Sequence, residues 1–285
     1  MGSGLTRASV AKGISLASPP TFLDCDVEGP NAHLFLAPTF ERRQDVAIQI
    51  PRVEAAKCTG CGKCAEVCPY HAIVVLGKKT LVFSQLCHGC GSCTLVCPEG
   101  AISEEPHPIG VLEAGPAARG IQFARGVLDV GEPMAAPAIR QLKRWALPTD
   151  GPAAAVVILD APPGTSCPVV EAVRGADYLL LVTEPTPFGL HDLRLAVEVA
   201  AELGIPTGVV INRNGIGDAG ISDAGVDAFC AAAGLPILLR IPFERAIAEG
   251  IAQGRTLIDI HPEYASRLRD MAQQIAESVR HYKAH

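Results

Sequence analysis

The chain has 285 residues, of which 48% are hydrophobic and 19% charged, with a formal net charge of -6. This length admits one large or two ordinary domains, and the balance is that of a soluble globular protein with no nucleic acid partner. No apolar run approaches the roughly eighteen residues of a membrane span; the longest are strand-like runs such as Tyr178 to Val182, so any membrane contact would be peripheral or through a partner.

Residues 1 to 20 read as a loop running into a helix, with Val10, Ile14 and Leu16 apolar and Pro19 and Pro20 ending it. Thr21 to Cys25 is strand-like and leads into Asp24-Cys25-Asp26-Val27-Glu28-Gly29-Pro30-Asn31. Carboxylates at the end of a buried strand are costly unless they carry chemistry. Pro30 and Asn31 equally suit a plain acidic turn, so both readings stand at this point.

The next stretch carries eight of the eleven cysteines. They fall into two copies of CxxCxxCxxxCP: Cys58, Cys61, Cys64, Cys68 with Pro69, then Cys87, Cys90, Cys93, Cys97 with Pro98. Three cysteines at this spacing wrap one cubane cluster, and the fourth, ahead of the proline, serves the other cluster in two-cluster ferredoxins. The reading is therefore two [4Fe-4S] clusters, one on Cys58, Cys61, Cys64 and Cys97, the other on Cys87, Cys90, Cys93 and Cys68. Zinc would leave cysteines surplus, and disulfides do not suit the reducing, cytoplasmic setting that the composition and lack of a signal peptide suggest. His71 and His88 lie beside cluster cysteines, where they would tune potential rather than ligate. The ferredoxin-like unit is bounded at residues 52 to 106 by Pro51 and by Pro106-His107-Pro108. Inside it, Ala72 to Leu76 and Thr80 to Phe83 form a hairpin turning at Gly77-Lys78-Lys79.

Beyond the insert, strand-like runs at Ala154 to Leu159, Tyr178 to Thr183 and Thr207 to Ile211 alternate with helical patterns at Val169 to Arg174, Leu190 to Leu203 and Asp223 to Ala233. A last amphipathic helix covers about Pro262 to Tyr282. Alternation of this kind implies an α/β fold with a mostly parallel sheet covered on both faces. Val156-Val157-Ile158-Leu159-Asp160 has the shape of a Walker B strand, whose carboxylate holds Mg2+ through water. Asn212 ends another strand where it could read adenine. Glu184 to Gly189, with two prolines, suits a switch segment. Gly215-Ile216-Gly217-Asp218-Ala219-Gly220 matches a dinucleotide motif but reads better as a solvent loop. Cys25, Cys167 and Cys230 read as small apolar residues, Cys167 being the one beside the nucleotide loop.

Taken together, DCDVEGPNAHLFL, the double ferredoxin motif, GEPMAAPAIRQLK, VVILDAPPGTSCPVVEAV, VTEPTPFGLHDL, VINRN and IPFERAIAEGIAQG resemble the MinD/ParA/Mrp superfamily of P-loop ATPases, in its branch with an inserted ferredoxin domain. The resemblance covers nearly the whole chain from Ser9. It implies an ATPase-like domain in two parts, 1-51 and 107-285, around the ferredoxin unit 52-106. By position it implies that Asp24 and Asp26 are the DxD pair, Asp26 aligning the attacking water, that Asp160 is Walker B and that Asn212 contacts adenine. It also implies Mg-ATP as a ligand. The phosphate loop departs from the family: the signature lysine becomes Gly2, the P-loop lysine Arg7, the glycine before it Thr6 and the Mg2+-binding threonine Ala8. The strand before the loop is missing, which should leave a gap in the sheet or force repacking. Either hydrolysis has been lost, or the reading frame starts too late; as written, the chain should not be a competent ATPase.

The resemblance supports three functions. Electron transfer to a redox partner leads, gated by nucleotide. Iron-sulfur cluster delivery to an apo-protein and a non-catalytic regulatory or assembly role are the alternatives; cluster carriers of the superfamily use a CxxC in the carboxyl-terminal half, absent here. Family members dimerise across nucleotide, so a homodimer or a heterodimer with an intact relative is implied. Without the signature lysine, nucleotide-driven dimerisation should be weak.

Overall fold

A computed structural model describes residues 20–147, 156–216 and 223–283. The altered phosphate loop from Gly2 to Ser9, Arg7 included, lies outside these residues. So do the expected amino-terminal helix, the first two positions of the Ala154 strand and most of the Gly215 to Gly220 stretch. In chain order the elements are β1 (Thr21–Asp24), α1 (His33–Leu36), β2 (Arg42–Val53), α2 (Lys63–Glu66), β3 (Ile73–Leu76), β4 (Lys79–Val82) and α3 (Ser92–Leu95). There follow β5 (Ile102–Pro116), β6 (Gln122–Leu128), α4 (Ala135–Ala146), β7 (Val157–Asp160), α5 (Cys167–Val173), β8 (Leu179–Thr183) and α6 (Pro187–Glu202). The chain ends with β9 (Thr207–Asn214), α7 (Asp223–Ala232), β10 (Ile237–Pro242), α8 (Arg245–Ala252), α9 (Leu257–Ile260) and α10 (Tyr264–Lys283).

The expected alternation is present as β7-α5-β8-α6-β9-α7, and the helices follow local rules. Thr186 caps α6 by accepting the Gly189 N–H at 3.0 Å, with Pro187 at the first helical position. At the other end Gly204, at φ +63°, lets the Ile205 N–H turn back to the Ala200 carbonyl at 3.0 Å. On α4, Ala135, Ala138, Ile139 and Leu142 form one buried stripe against the sheet. Among the described residues no helix is long and apolar enough to cross a membrane.

The main sheet is in two pieces: five strands in the order β2-β5-β6-β1-β7, and three in the order β10-β9-β8. β1 runs parallel to β6 and β7, and β9 runs parallel to β8 and β10. β7 and β8 each end a sheet, and Val157 to Leu159 and Leu179 to Val182 are only half-buried, whereas Gly208 to Ile211 on the interior strand β9 are buried. Separate cores serve the pieces. One gathers Leu23, Val46, Ile109, Leu112 and Ile139, the other Val210, Ile241, Leu268 and Met271.

Sequence periodicity did not disclose β2, β5 and β6. β2 and β5 pair antiparallel from Arg42↔Ala114 to Val53↔Ile102, running straight through Pro51, Pro106 and Pro108. β6 joins β5 only from Gly110 onward, so residues 47–53 and 102–108 form a two-stranded ribbon that leaves the sheet. Proline is tolerated there because each strand of the ribbon has a partner on one side only, and a missing N–H can face away from it. The cysteine-rich unit, with the antiparallel β3-β4 hairpin, sits at the ribbon's end.

Candidate functional site

All eleven cysteines are unbridged. Eight of them line two hollows. Cys58, Cys61, Cys64 and Cys97 line the first, with Val53, Val75, Thr80 and Ile102 around them. Cys68, Cys87, Cys90 and Cys93 line the second, with Gln49, Pro51 and Glu104 of the ribbon beside them. Each hollow thus takes three cysteines from one repeat and the fourth from the other. The loops need their glycines: Gly60, Gly62, Gly89 and Gly91 all have positive φ. At Gly89 a Cβ would also come within 2.9 Å of the Gln49 carbonyl oxygen, so this loop rests directly on the ribbon.

Main-chain donors point at sulfur. Cys68 Sγ accepts the Ala72 N–H at 3.3 Å and Cys97 Sγ the Ala101 N–H at 3.3 Å, the same contact in both repeats. Cys87 Sγ accepts the Gly89 N–H at 3.4 Å. Thr80 Oγ1 lies 3.4 Å from Cys58 Sγ and Ser92 Oγ 3.4 Å from Cys90 Sγ. These hydroxyls hold the two thiols below their ordinary range, while burial pushes Cys64, Cys87 and Cys93 up. The donor set fits all-thiolate iron-sulfur ligation: sulfur converges in two places, with hydrogen bonds that favour charged sulfur.

The second constellation is a row of charge across the five-stranded sheet. Register partners run Arg43↔Glu113↔Arg125↔Asp24↔Asp160, one residue from each strand in the order β2, β5, β6, β1, β7. Arg125 donates to Glu113 Oε2 from both Nε (2.9 Å) and Nη2 (2.7 Å), and Arg43 approaches Glu113 Oε1 at 3.5 Å. Arg125 also lies over the Phe40 ring. Asp24 is fully buried, accepting the Ala32 N–H at 3.0 Å and the Asp26 N–H at 3.3 Å. Burial pushes its carboxyl up to about 6, with those backbone N–H groups pulling the other way. The carboxylate therefore clasps the loop that carries Asp26. Asp160, also buried, is its neighbour across the β1-β7 pairing.

Asn212 lies on β9, in the other sheet piece. Beyond it, Arg213 takes φ +54° and reaches Glu184, the residue after β8, at 3.4 Å. His71 also takes a left-handed conformation, φ +51°, where the second repeat has Gly100 at φ +56°. Sequence reasoning passed over Tyr70. Its ring stacks on His88 with centroids 3.5 Å apart and planes 4° from parallel. Tyr70 and His88 are two of six positions at which residues 58–72 and 87–101 differ, so aligning the repeats would not by itself have paired them.

With this geometry in place, two kinds of similarity define the class. Residues 57–102 match the 4Fe-4S dicluster domain family. The chain as a whole has the fold of MinD: the septum site-determining protein MinD of Pyrococcus horikoshii, solved with Mg-ADP, aligns at a TM-score of 0.54 and 16% identity over 95% of this chain and 88% of that one. Residues 57–102 are thus similar to a 4Fe-4S dicluster domain, set in a chain with a MinD-like α/β fold. Among full-length relatives are two uncharacterised proteins of Methanocaldococcus jannaschii. MJ0579 is 29% identical over 264 residues, 90% of this chain and 85% of its own. MJ0578 is 27% identical over 279 residues, 98% and 94% respectively.

Proposed function

We propose that this protein is an electron carrier holding two [4Fe-4S] clusters, on Cys58, Cys61, Cys64 and Cys97 and on Cys87, Cys90, Cys93 and Cys68. A redox protein is the partner, and the MinD-like body orients and gates the ferredoxin unit. The observation that carries this reading is the sorting of the eight thiols into two hollows, each completed by the other repeat's fourth cysteine. A cluster bound in this interlocked way resists being handed on, because its four thiolates are drawn from both repeats.

The body contributes a nucleotide site in the second part of the proposal. Asp24, Asp26 and Asp160 would hold Mg2+ and its water, Asn212 the base and Arg7 the phosphates, with nucleotide acting as a gate. The ribbon gives such a gate its lever. Arg43 at its foot and Asp24 belong to one charged row, so a change at the carboxylates reaches the strands that carry the clusters. The units 1-51, 52-106 and 107-285 are the working division of the chain.

The test is anaerobic reduction and reoxidation of reconstituted protein followed by electron paramagnetic resonance, with iron content measured before and after. Electron transfer expects about eight irons per chain throughout and a reversible signal. Transfer of cluster to an added apo-ferredoxin during the cycle would establish the carrier reading instead. Calorimetry with Mg-ATP and Mg-ADP on the same protein tests the gate, and absence of heat at millimolar nucleotide would remove it.

A further inference from the structure

The two cluster sites are not equivalent. Counting from their cysteines, Tyr70 of the first repeat corresponds to Glu99 of the second, and His88 of the second to Thr59 of the first. Because the fourth cysteines cross over, these residues also cross. Tyr70 and His88 rim the hollow of Cys68, Cys87, Cys90 and Cys93, whereas Thr59 and Glu99 rim that of Cys58, Cys61, Cys64 and Cys97. The first pair stacks face to face at 3.5 Å, with one ring from each repeat. The second pair has no rings to stack, and a hydroxyl and a carboxylate are groups that hold water at the rim.

We propose that the Tyr70–His88 stack is a lid that retains the cluster on Cys68, Cys87, Cys90 and Cys93, leaving the cluster on Cys58, Cys61, Cys64 and Cys97 as the one that loses iron first. This rests on the two-cluster reading above. Loss of a cubane starts when water or a chelator reaches iron or sulfide. At the lidded site the stacked rings stand at the rim of the hollow, and clearing them from an approach on that side requires unstacking two residues held in separate repeats. The same site is closed beneath by Gln49 and Pro51 of the ribbon, on which the Gly89 loop rests.

Reconstituted protein challenged anaerobically with bathophenanthroline disulfonate should release iron in two phases of equal size. Tyr70→Ala should speed the slow phase severalfold, at most about tenfold, and leave the fast phase alone. Tyr70→Phe, which keeps the ring, should restore the slow phase, and Glu99→Ala should leave it unchanged. Cys61→Ala should delete the fast phase. A single phase in the unmodified protein, equal acceleration of both phases by Tyr70→Ala, or survival of only the fast phase in Cys61→Ala would overturn the lid. An iron content near four per chain would instead sink the two-cluster reading; the lid would then stand or fall on whether Tyr70→Ala speeds loss of those irons.

Discussion

Asp24→Asn separates the cost of burying a charge from everything else that titrates in this protein. The Asp24 carboxyl rises from 3.8 to about 6 on folding, chiefly because it is removed from water. Ionising it therefore costs more in the folded chain than in the unfolded one. Below about pH 4 both states hold the proton and the penalty is absent. As pH climbs through 4 to 6 the unfolded chain releases its proton first, so folding stability falls, and above about 6 the penalty is constant. The gap corresponds to about 3 kcal/mol. The Asp24→Asn variant has no proton to lose. It does forfeit one acceptor, because Asp24 takes the Ala32 and Asp26 N–H groups on separate oxygens and an amide offers one. Below about pH 4 the protonated carboxyl likewise keeps only one full acceptor oxygen, so there the two proteins differ by about 1 kcal/mol or less.

The variant should therefore be close in stability to the unmodified protein at pH 4 and should gain on it by up to about 3 kcal/mol by pH 7. Taking the difference cancels other groups, including His33, whose imidazole is lowered by burial and whose own effect on stability runs in the opposite direction with pH. The assay is urea unfolding in chelator at several pH values. The single tryptophan, Trp145, is a natural reporter, since it packs against the five-stranded core under Arg42. A difference that stays flat between pH 4 and 7, or that moves against the variant, would refute the buried, clasping role of Asp24.

Three further outcomes follow from the geometry. His71→Gly should stabilise the cysteine-rich unit by about 1 kcal/mol or less, because a left-handed residue gains what Gly100 already has; a lower melting temperature would contradict this. Gly89→Ala, strained at φ +63° and pressed to 2.9 Å from the Gln49 oxygen, should lower iron content by loss of the ribbon-side cluster, whereas Gly62→Ala, strained but with no backbone near, should lower it less. Arg125→Ala leaves the largely buried Glu113 with only the longer Arg43 contact and should cost about 3 kcal/mol in urea unfolding; a change under about 1 kcal/mol would show the pair to be incidental.

Cluster chemistry was legible in the sequence because ligand spacing along the chain is local: CxxCxxC fixes which sulfurs can reach one cubane before any long-range contact forms. Strands β7 to β9 and helices α5, α6, α7 and α10 were legible for a similar reason, since their apolar periodicity and caps such as Thr186 and Gly204 act within a few residues, whereas β10, α8 and α9 were not read from periodicity. Local signals did not disclose that β5 runs through Pro106-His107-Pro108, because whether proline is tolerated depends on whether a strand has a neighbour on that side. The same holds for Asp24. Its place at the end of an apolar strand was visible, but its clasp on the Ala32 N–H and its row with Arg125, Glu113 and Arg43 exist only once distant strands pair. Nothing local brings Tyr70 to His88 either. The sequence by itself determined a sulfur spacing that suits iron-sulfur ligation and the helical patterns of α5, α6, α7 and α10. Tertiary structure alone decided which carboxylate is desolvated, which hollow the Tyr70–His88 stack rims and how the ribbon meets the cysteine-rich unit, because burial and strand register are properties of the packed chain.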